Sequence, residues 1–135
     1  MSDTALPYSF QTRLDLPYEQ AIAKVTAALK AQGFGVLTEI DVKATMKQKL
    51  GVDFRKYIIL GACNPSLAHQ ALRAELNIGL FMPCNAIIYE DDAGGCVVAI
   101  LDPAALLEMS GASGLDALAE DGHERIRRVM EALHR

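Results

Sequence analysis

Three short segments of this chain are apolar at every position, and they constrain its fold more than any other feature. They are residues 57–60, 86–89 and 97–100, with the sequences YIIL, AIIY and VVAI. Successive side chains of a strand point to opposite faces of its sheet, so strands of this kind are apolar on both faces. The sequence therefore predicts a sheet with helices on one face and a further apolar cover on the other.

A second copy of the chain is the cover that we expect. The chain has 135 residues, of which 51% are hydrophobic but only 6% aromatic, so its apolar surplus is aliphatic. A single domain of this size buries one core, and an additional exposed apolar face is typical of a subunit interface. We therefore predict a homodimer that packs through the open face of the sheet.

The periodicity of the remaining residues predicts one domain over residues 1–135, with the element order β-α-β-α-β-α-β-β-α-α. Asn64 and Pro65 suit the N-cap and first residue of the third helix, and Pro83 interrupts the first arm of a hairpin at 81–90 and 96–101. Gly122 lies on the apolar stripe of the last helix, where we expect a close approach. These elements form a two-layer α+β fold, a mixed or antiparallel sheet with helices on one face.

Charge and cysteine content exclude several classes of protein. A formal net charge of −4 and the absence of Trp argue against nucleic-acid binding. Cys63, Cys84 and Cys96 are an odd number of cysteines, which favours free thiols and a cytoplasmic location. No apolar run approaches the roughly twenty residues of a membrane span, and residues 1–4 do not begin a signal peptide.

Three segments carry a resemblance to a known family. Residues 33–42 (GFGVLTEIDV), 60–65 (LGACNP) and 82–85 (MPCN) resemble domain-of-unknown-function family 302, and the similarity runs over nearly the whole chain. The resemblance implies a dimeric α+β domain of a prokaryotic protein, with a TATA-binding-protein-like arrangement of sheet and helices. It implies no catalytic residue, cofactor or activity.

Unusual polar residues and prolines cluster where strands are predicted to end. Ligand sites in α+β domains are often built at such positions, so we predict a binding protein that takes a small molecule there. The residues expected to contact that ligand are Cys63, Asn64, Pro83, Cys84, Asn85 and His69.

Thiol chemistry is the alternative. Cys63 directly precedes the predicted N-cap Asn64, and the partial positive charge of a helix N-terminus lowers the pKa of a nearby thiol. Cys63 would then be a nucleophile with Cys84 as its partner, or the two would hold a soft metal with His69. No CxxC motif or zinc-finger spacing is present, so we predict no metal site, and a small buried residue remains the simpler interpretation of Cys63.

Overall fold

The elements follow the predicted order in the computed structural model, which describes residues 6–135. The strands are β1 (Ser9–Leu14), β2 (Gly35–Asp41), β3 (Tyr57–Cys63), β4 (Cys84–Glu90) and β5 (Cys96–Leu101). The α-helices are α1 (Tyr18–Ala31), α2 (Val42–Leu50), α3 (Pro65–Ala74), α4 (Pro103–Met109) and α5 (Asp116–Ala132), and a 3-10 helix spans Leu76–Phe81. None of these helices is both long and apolar enough to cross a membrane.

The five strands form one antiparallel sheet in the order β1-β5-β4-β3-β2. The pairing of residues across the strands shows which side chains lie on each face of the sheet. Ile58, Ile88 and Val98 lie side by side on one face and are buried. The next row along, with Ile59, Ile87 and Ala99, points to the other face and is only partly buried. The predicted two-faced apolar sheet is confirmed, and its second face is open.

Helices α1 and α5 cover the buried face, as the sequence predicted. Val25 and Leu29 of α1 and Ile126 and Val129 of α5 have no exposed surface and pack in the main core with the sheet. A second, smaller cluster of buried side chains lies among α3, the 3-10 helix, α4 and the start of α5. It consists of Ala71, Ile78, Leu106, Leu107 and Leu115.

Helix α5 runs through Gly122 without a break, and the missing side chain lets α4 approach the helix closely. A β-carbon on Gly122 would lie 2.8 Å from the β-carbon of Pro103, which is closer than real side chains tolerate. The predicted close approach at Gly122 is confirmed. It joins α4, and with it the second cluster, to the helix that covers the sheet.

Two element boundaries differ from the prediction. The spacing of the apolar residues from Leu67 to Leu76 predicts a third helix that reaches Leu76, but α3 ends at Ala74 and the 3-10 helix follows. The first hairpin arm was expected to begin at Phe81, whereas β4 begins at Cys84, after the cis peptide bond between Met82 and Pro83. Pro83 cannot donate a hydrogen bond to the ladder, so the strand begins beyond it.

Candidate functional site

An apolar cavity of about 350 Å³ lies where β3 ends and β4 begins. Its walls come from both hydrophobic clusters. Phe34, Ala62 and Leu67 belong to the main core, while Leu72 and Leu106 belong to the second cluster. The cavity therefore occupies the junction between the two clusters, and a molecule bound in it would contact both.

No charged side chain of residues 6–135 lines this cavity. Most of the wall is aliphatic, and it is completed by Leu37, Ala68, Ala71, Met82, Pro103, Leu107 and Leu118. The polar side chains in the lining are those of Thr38 and Asn64, beside the thiols of Cys63 and Cys84. Leu37 and Thr38 are exposed, which places the mouth of the cavity beside β2.

A glycine shapes that mouth. Gly61 of β3 lies opposite Thr38 of β2, next to an irregularity in the register between Val36 and Thr38. A β-carbon on Gly61 would lie 2.1 Å from the Thr38 hydroxyl oxygen and 2.8 Å from Cγ of Pro83. Only a residue without a side chain lets Thr38 and Pro83 sit this close to β3.

Asn64 is held by the protein itself. Its Oδ1 accepts a hydrogen bond from the Leu67 amide at 3.3 Å, which confirms the predicted N-cap of α3. Its Nδ2 donates to the Gln32 carbonyl at 3.4 Å, at the C-terminal end of α1. Asn64 thus ties α1 to α3, and both ends of its amide have partners within the chain.

The thiols do not have the surroundings of a nucleophile. Burial raises the pKa of Cys63 above its ordinary value. Burial also raises the pKa of Cys84, to about 12, with further contributions from Asp102 and Cys63. The Cys84 Sγ donates to the Leu101 carbonyl at 3.1 Å. The predicted lowering of the Cys63 pKa was wrong, because loss of solvent at this position outweighs the helix N-terminus.

Four of the six predicted site residues line the cavity together, namely Cys63, Asn64, Pro83 and Cys84. Asn85 and His69 do not line it, and both are exposed. That the four bind a ligand stays a prediction. Sequence reasoning missed Thr38 and the leucines of α3 and α4, although the helical spacing of Leu67, Ala68, Ala71 and Leu72 marks one apolar face.

A metal site and an anion site are the two other kinds of site that the sequence suggests. No group of three or more His, Cys, Asp and Glu side chains within residues 6–135 could hold a metal ion. A second depression, of about 440 Å³, lies beside α2 and includes Lys43 and Lys47. The Lys43 Nζ donates to the Phe54 carbonyl at 2.8 Å, and the Lys47 Nζ pairs with Asp53 at 3.2 Å. Both ammonium groups of this depression therefore already have partners within the chain, and Asp53 offsets the charge of Lys47.

Comparison with known proteins agrees with the sheet and helices described above. The family model "Domain of unknown function DUF302" matches residues 10–133. The chain belongs to the DUF302 family. A crystal structure of an uncharacterized conserved DUF302 protein from Bacillus stearothermophilus superposes with a TM-score of 0.79 at 27% identity. The match covers 96% of this chain and 98% of that one, so the two proteins share the architecture over nearly their whole described length.

Part of the chain is also similar to two curated proteins of Brucella. Each is named fluoride-specific ion channel FluC 1, one from Brucella suis biovar 1 and one from Brucella abortus biovar 1. Each is 32% identical over 90 residues, which is 66% of this chain. The matched residues span only 35% and 33% of the two Brucella proteins, about a third of their length.

Proposed function

We propose that this DUF302 protein binds a small apolar molecule in the cavity between its two hydrophobic clusters. The observation that carries the proposal is the lining itself, which is almost wholly apolar, has no charged side chain and comes from strands and helices distant in sequence. Ligand sites of small molecules commonly have 300–1,000 Å³ and this kind of lining. Cys63, Asn64, Pro83 and Cys84 contribute wall and shape in this proposal, without a chemical step.

The lining disfavours a bound ion. Moving an anion such as fluoride from water into a cavity without a positive partner costs far more than its contacts return. The name of the Brucella relatives therefore supplies no ligand for this cavity. The raised pKa values of both thiols likewise favour binding over the alternative of thiol chemistry.

A substitution that fills part of the cavity tests this proposal. Ala68 of α3 lines the cavity, whereas Ala74 of the same helix is exposed and does not. Ala68→Phe adds a six-carbon ring to this wall, and the ring would occupy a substantial part of the cavity. We expect the fluorescent neutral probe 1-aminonaphthalene, which is small enough for this cavity, to bind the wild-type protein and Ala74→Phe, and to lose binding to Ala68→Phe. Equal binding by both variants would exclude this cavity as the site.

We also propose that the protein is a homodimer whose interface is the open face of the sheet. Five strands about 4.8 Å apart and about 20 Å long present roughly 480 Å² of plan area. Two such faces together reach about 1,000 Å², the lower range for a specific interface. On the three central strands this face carries Ile59, Ile87, Tyr89 and Val97 and no charged side chain. The row of Val97 ends at the edge strand on Arg13, which pairs with Asp91. A face with an apolar centre is complementary to another copy of itself.

Light scattering coupled to size exclusion tests the dimer at micromolar concentration. Ile87→Lys introduces a charge at the centre of the open face, while Leu76→Lys makes the same kind of change at a residue that is 81% exposed on the 3-10 helix. We expect a dimer for the wild-type protein and Leu76→Lys, and a folded monomer for Ile87→Lys by circular dichroism. A monomeric wild-type protein would overturn the proposal.

We also propose a cytoplasmic location for the protein, which its three free cysteines support.

A further inference from the structure

We propose that the ligand is a neutral molecule with an aliphatic chain and one hydrogen-bonding head group, and that the head group pairs with Thr38 at the mouth of the cavity. Medium-chain alcohols have this chemistry. The inference rests on the proposed function, since it names the class of molecule that the same cavity takes. Its support is the volume of the cavity, the position of one hydroxyl group and the surroundings of the nearest cation.

The volume of the cavity limits the length of the ligand's aliphatic chain. A cavity of 350 Å³ holds about twelve non-hydrogen atoms when each is given the roughly 30 Å³ that a water molecule has in the liquid. An unbranched alcohol of ten or eleven carbons has this size. The wall contains a single aromatic ring, that of Phe34, so it offers aliphatic contacts rather than a stacking surface.

We infer the position of the ligand's head group from the polar side chains of the lining that have no hydrogen-bond partner among residues 6–135. The amide of Asn64 and the thiol of Cys84 are engaged with backbone groups. Thr38 has no side-chain hydrogen bond to any other residue in the range 6–135, and its hydroxyl lies at the exposed end of the lining. Gly61 and Pro83 hold it there. A hydroxyl group both donates and accepts, and it therefore suits an uncharged head group.

No charged side chain of residues 6–135 lines the cavity, so a charged head group would have no counter-charge in its wall. Arg125 is the cation beside Asn64, and it is occupied. Its Nε donates to Asp121 at 2.7 Å and its Nη1 donates to the Gln32 carbonyl at 3.1 Å. A carboxylate beside Thr38, Gly61 and Pro83 would lose part of its hydration without a counter-charge, and the net charge of −4 adds repulsion.

The experiment is a calorimetric titration of the full chain with straight-chain 1-alkanols of six to fourteen carbons, and with decanoate and decylammonium. We expect affinity to rise about fourfold per methylene, up to ten or eleven carbons, and then to level off. Because no charged side chain of residues 6–135 lines the cavity to pair with either head group, we expect decanoate and decylammonium to bind at least tenfold more weakly than 1-decanol. Thr38→Val should lower the affinity for 1-decanol about three- to tenfold. Thr38→Ser, which keeps a hydroxyl group, should bind 1-decanol with the wild-type affinity.

The outcomes separate this inference from the proposed function. If wild-type protein binds 1-aminonaphthalene, Ala68→Phe does not, and no alkanol binds, then the cavity is a ligand site and the aliphatic class is wrong. Tighter binding of decanoate or decylammonium than of 1-decanol would overturn the neutral head group. Equal affinity of Thr38→Val and wild-type protein for 1-decanol would overturn the placement at Thr38. Alkanol binding that Ala68→Phe leaves unchanged would overturn both the inference and the proposed function.

Discussion

Replacing Gly122 with alanine tests how α4 is held against α5. At an exposed helix position this change stabilises a protein by about 1 kcal/mol, because glycine is the poorer helix former. Here the added β-carbon would lie 2.8 Å from Cβ and 3.2 Å from Cγ of Pro103. Forcing an extra carbon into a packed contact costs about 1–3 kcal/mol. The two effects oppose each other, and we expect Gly122→Ala to lower the free energy of unfolding by about 1 kcal/mol.

The same substitution should change sign when its obstacle is removed. Pro103→Gly deletes both carbon atoms that the new methyl group would meet. In that background we expect Gly122→Ala to raise the free energy of unfolding by about 1 kcal/mol, the helix-propensity gain alone. Urea unfolding of the four proteins, at one fixed protein concentration so that dimerisation does not differ, gives the coupling energy. Stabilisation by Gly122→Ala in the wild-type background would refute the close contact between the two helices.

Three further results are expected. Asn64→Ala should cost about 1–2 kcal/mol of unfolding free energy in urea, since it removes the cap of α3 and the tie to α1, and a change below 0.3 kcal/mol would contradict those bonds. Iodoacetamide should alkylate Cys63 more slowly than a model thiol near neutral pH and leave Cys84 unreacted below pH 9, and fast Cys63 labelling would restore thiol chemistry. The guanidinium of Arg13 lowers the pKa of Asp91, so its stabilisation is present above the unfolded-state pKa and is lost as pH falls through the lower folded-state pKa. Unfolding midpoints of wild type and Asp91→Asn should therefore converge in acid, and a constant difference down to pH 2 would contradict the pair.

The sheet and its faces were predictable from local pattern. Continuous apolar runs at β3, β4 and β5 required two apolar faces, because side chains of a strand alternate. Asn64 and Pro65 identified the start of α3 through capping chemistry, which involves only neighbouring residues. Gly122 was interpretable because its position on an apolar stripe restricts what it can contact.

The cavity was not predictable in the same way. Its walls join three strands, β2, β3 and β4, and three helices, α3, α4 and α5, so the space between them results from tertiary packing rather than from any local pattern. Asn85 was predicted beside Cys84 because the two are neighbours in sequence, yet the side chain of Asn85 is exposed and does not line the cavity. For Cys63, the nearby helix N-terminus was visible in the sequence, whereas the burial that raises its pKa results from tertiary packing.

The central claim is that an uncharged apolar molecule occupies the cavity between the two hydrophobic clusters. A titration of the methyl-labelled protein with 1-octanol, followed by nuclear magnetic resonance, tests it most directly. We predict saturable shifts of the methyl resonances of Leu72 and Leu106, which line the cavity, and unchanged resonances of Ile59 and Ile87 on the open face. Shifts confined to the open face, or no saturable shift of the lining leucines, would contradict the account.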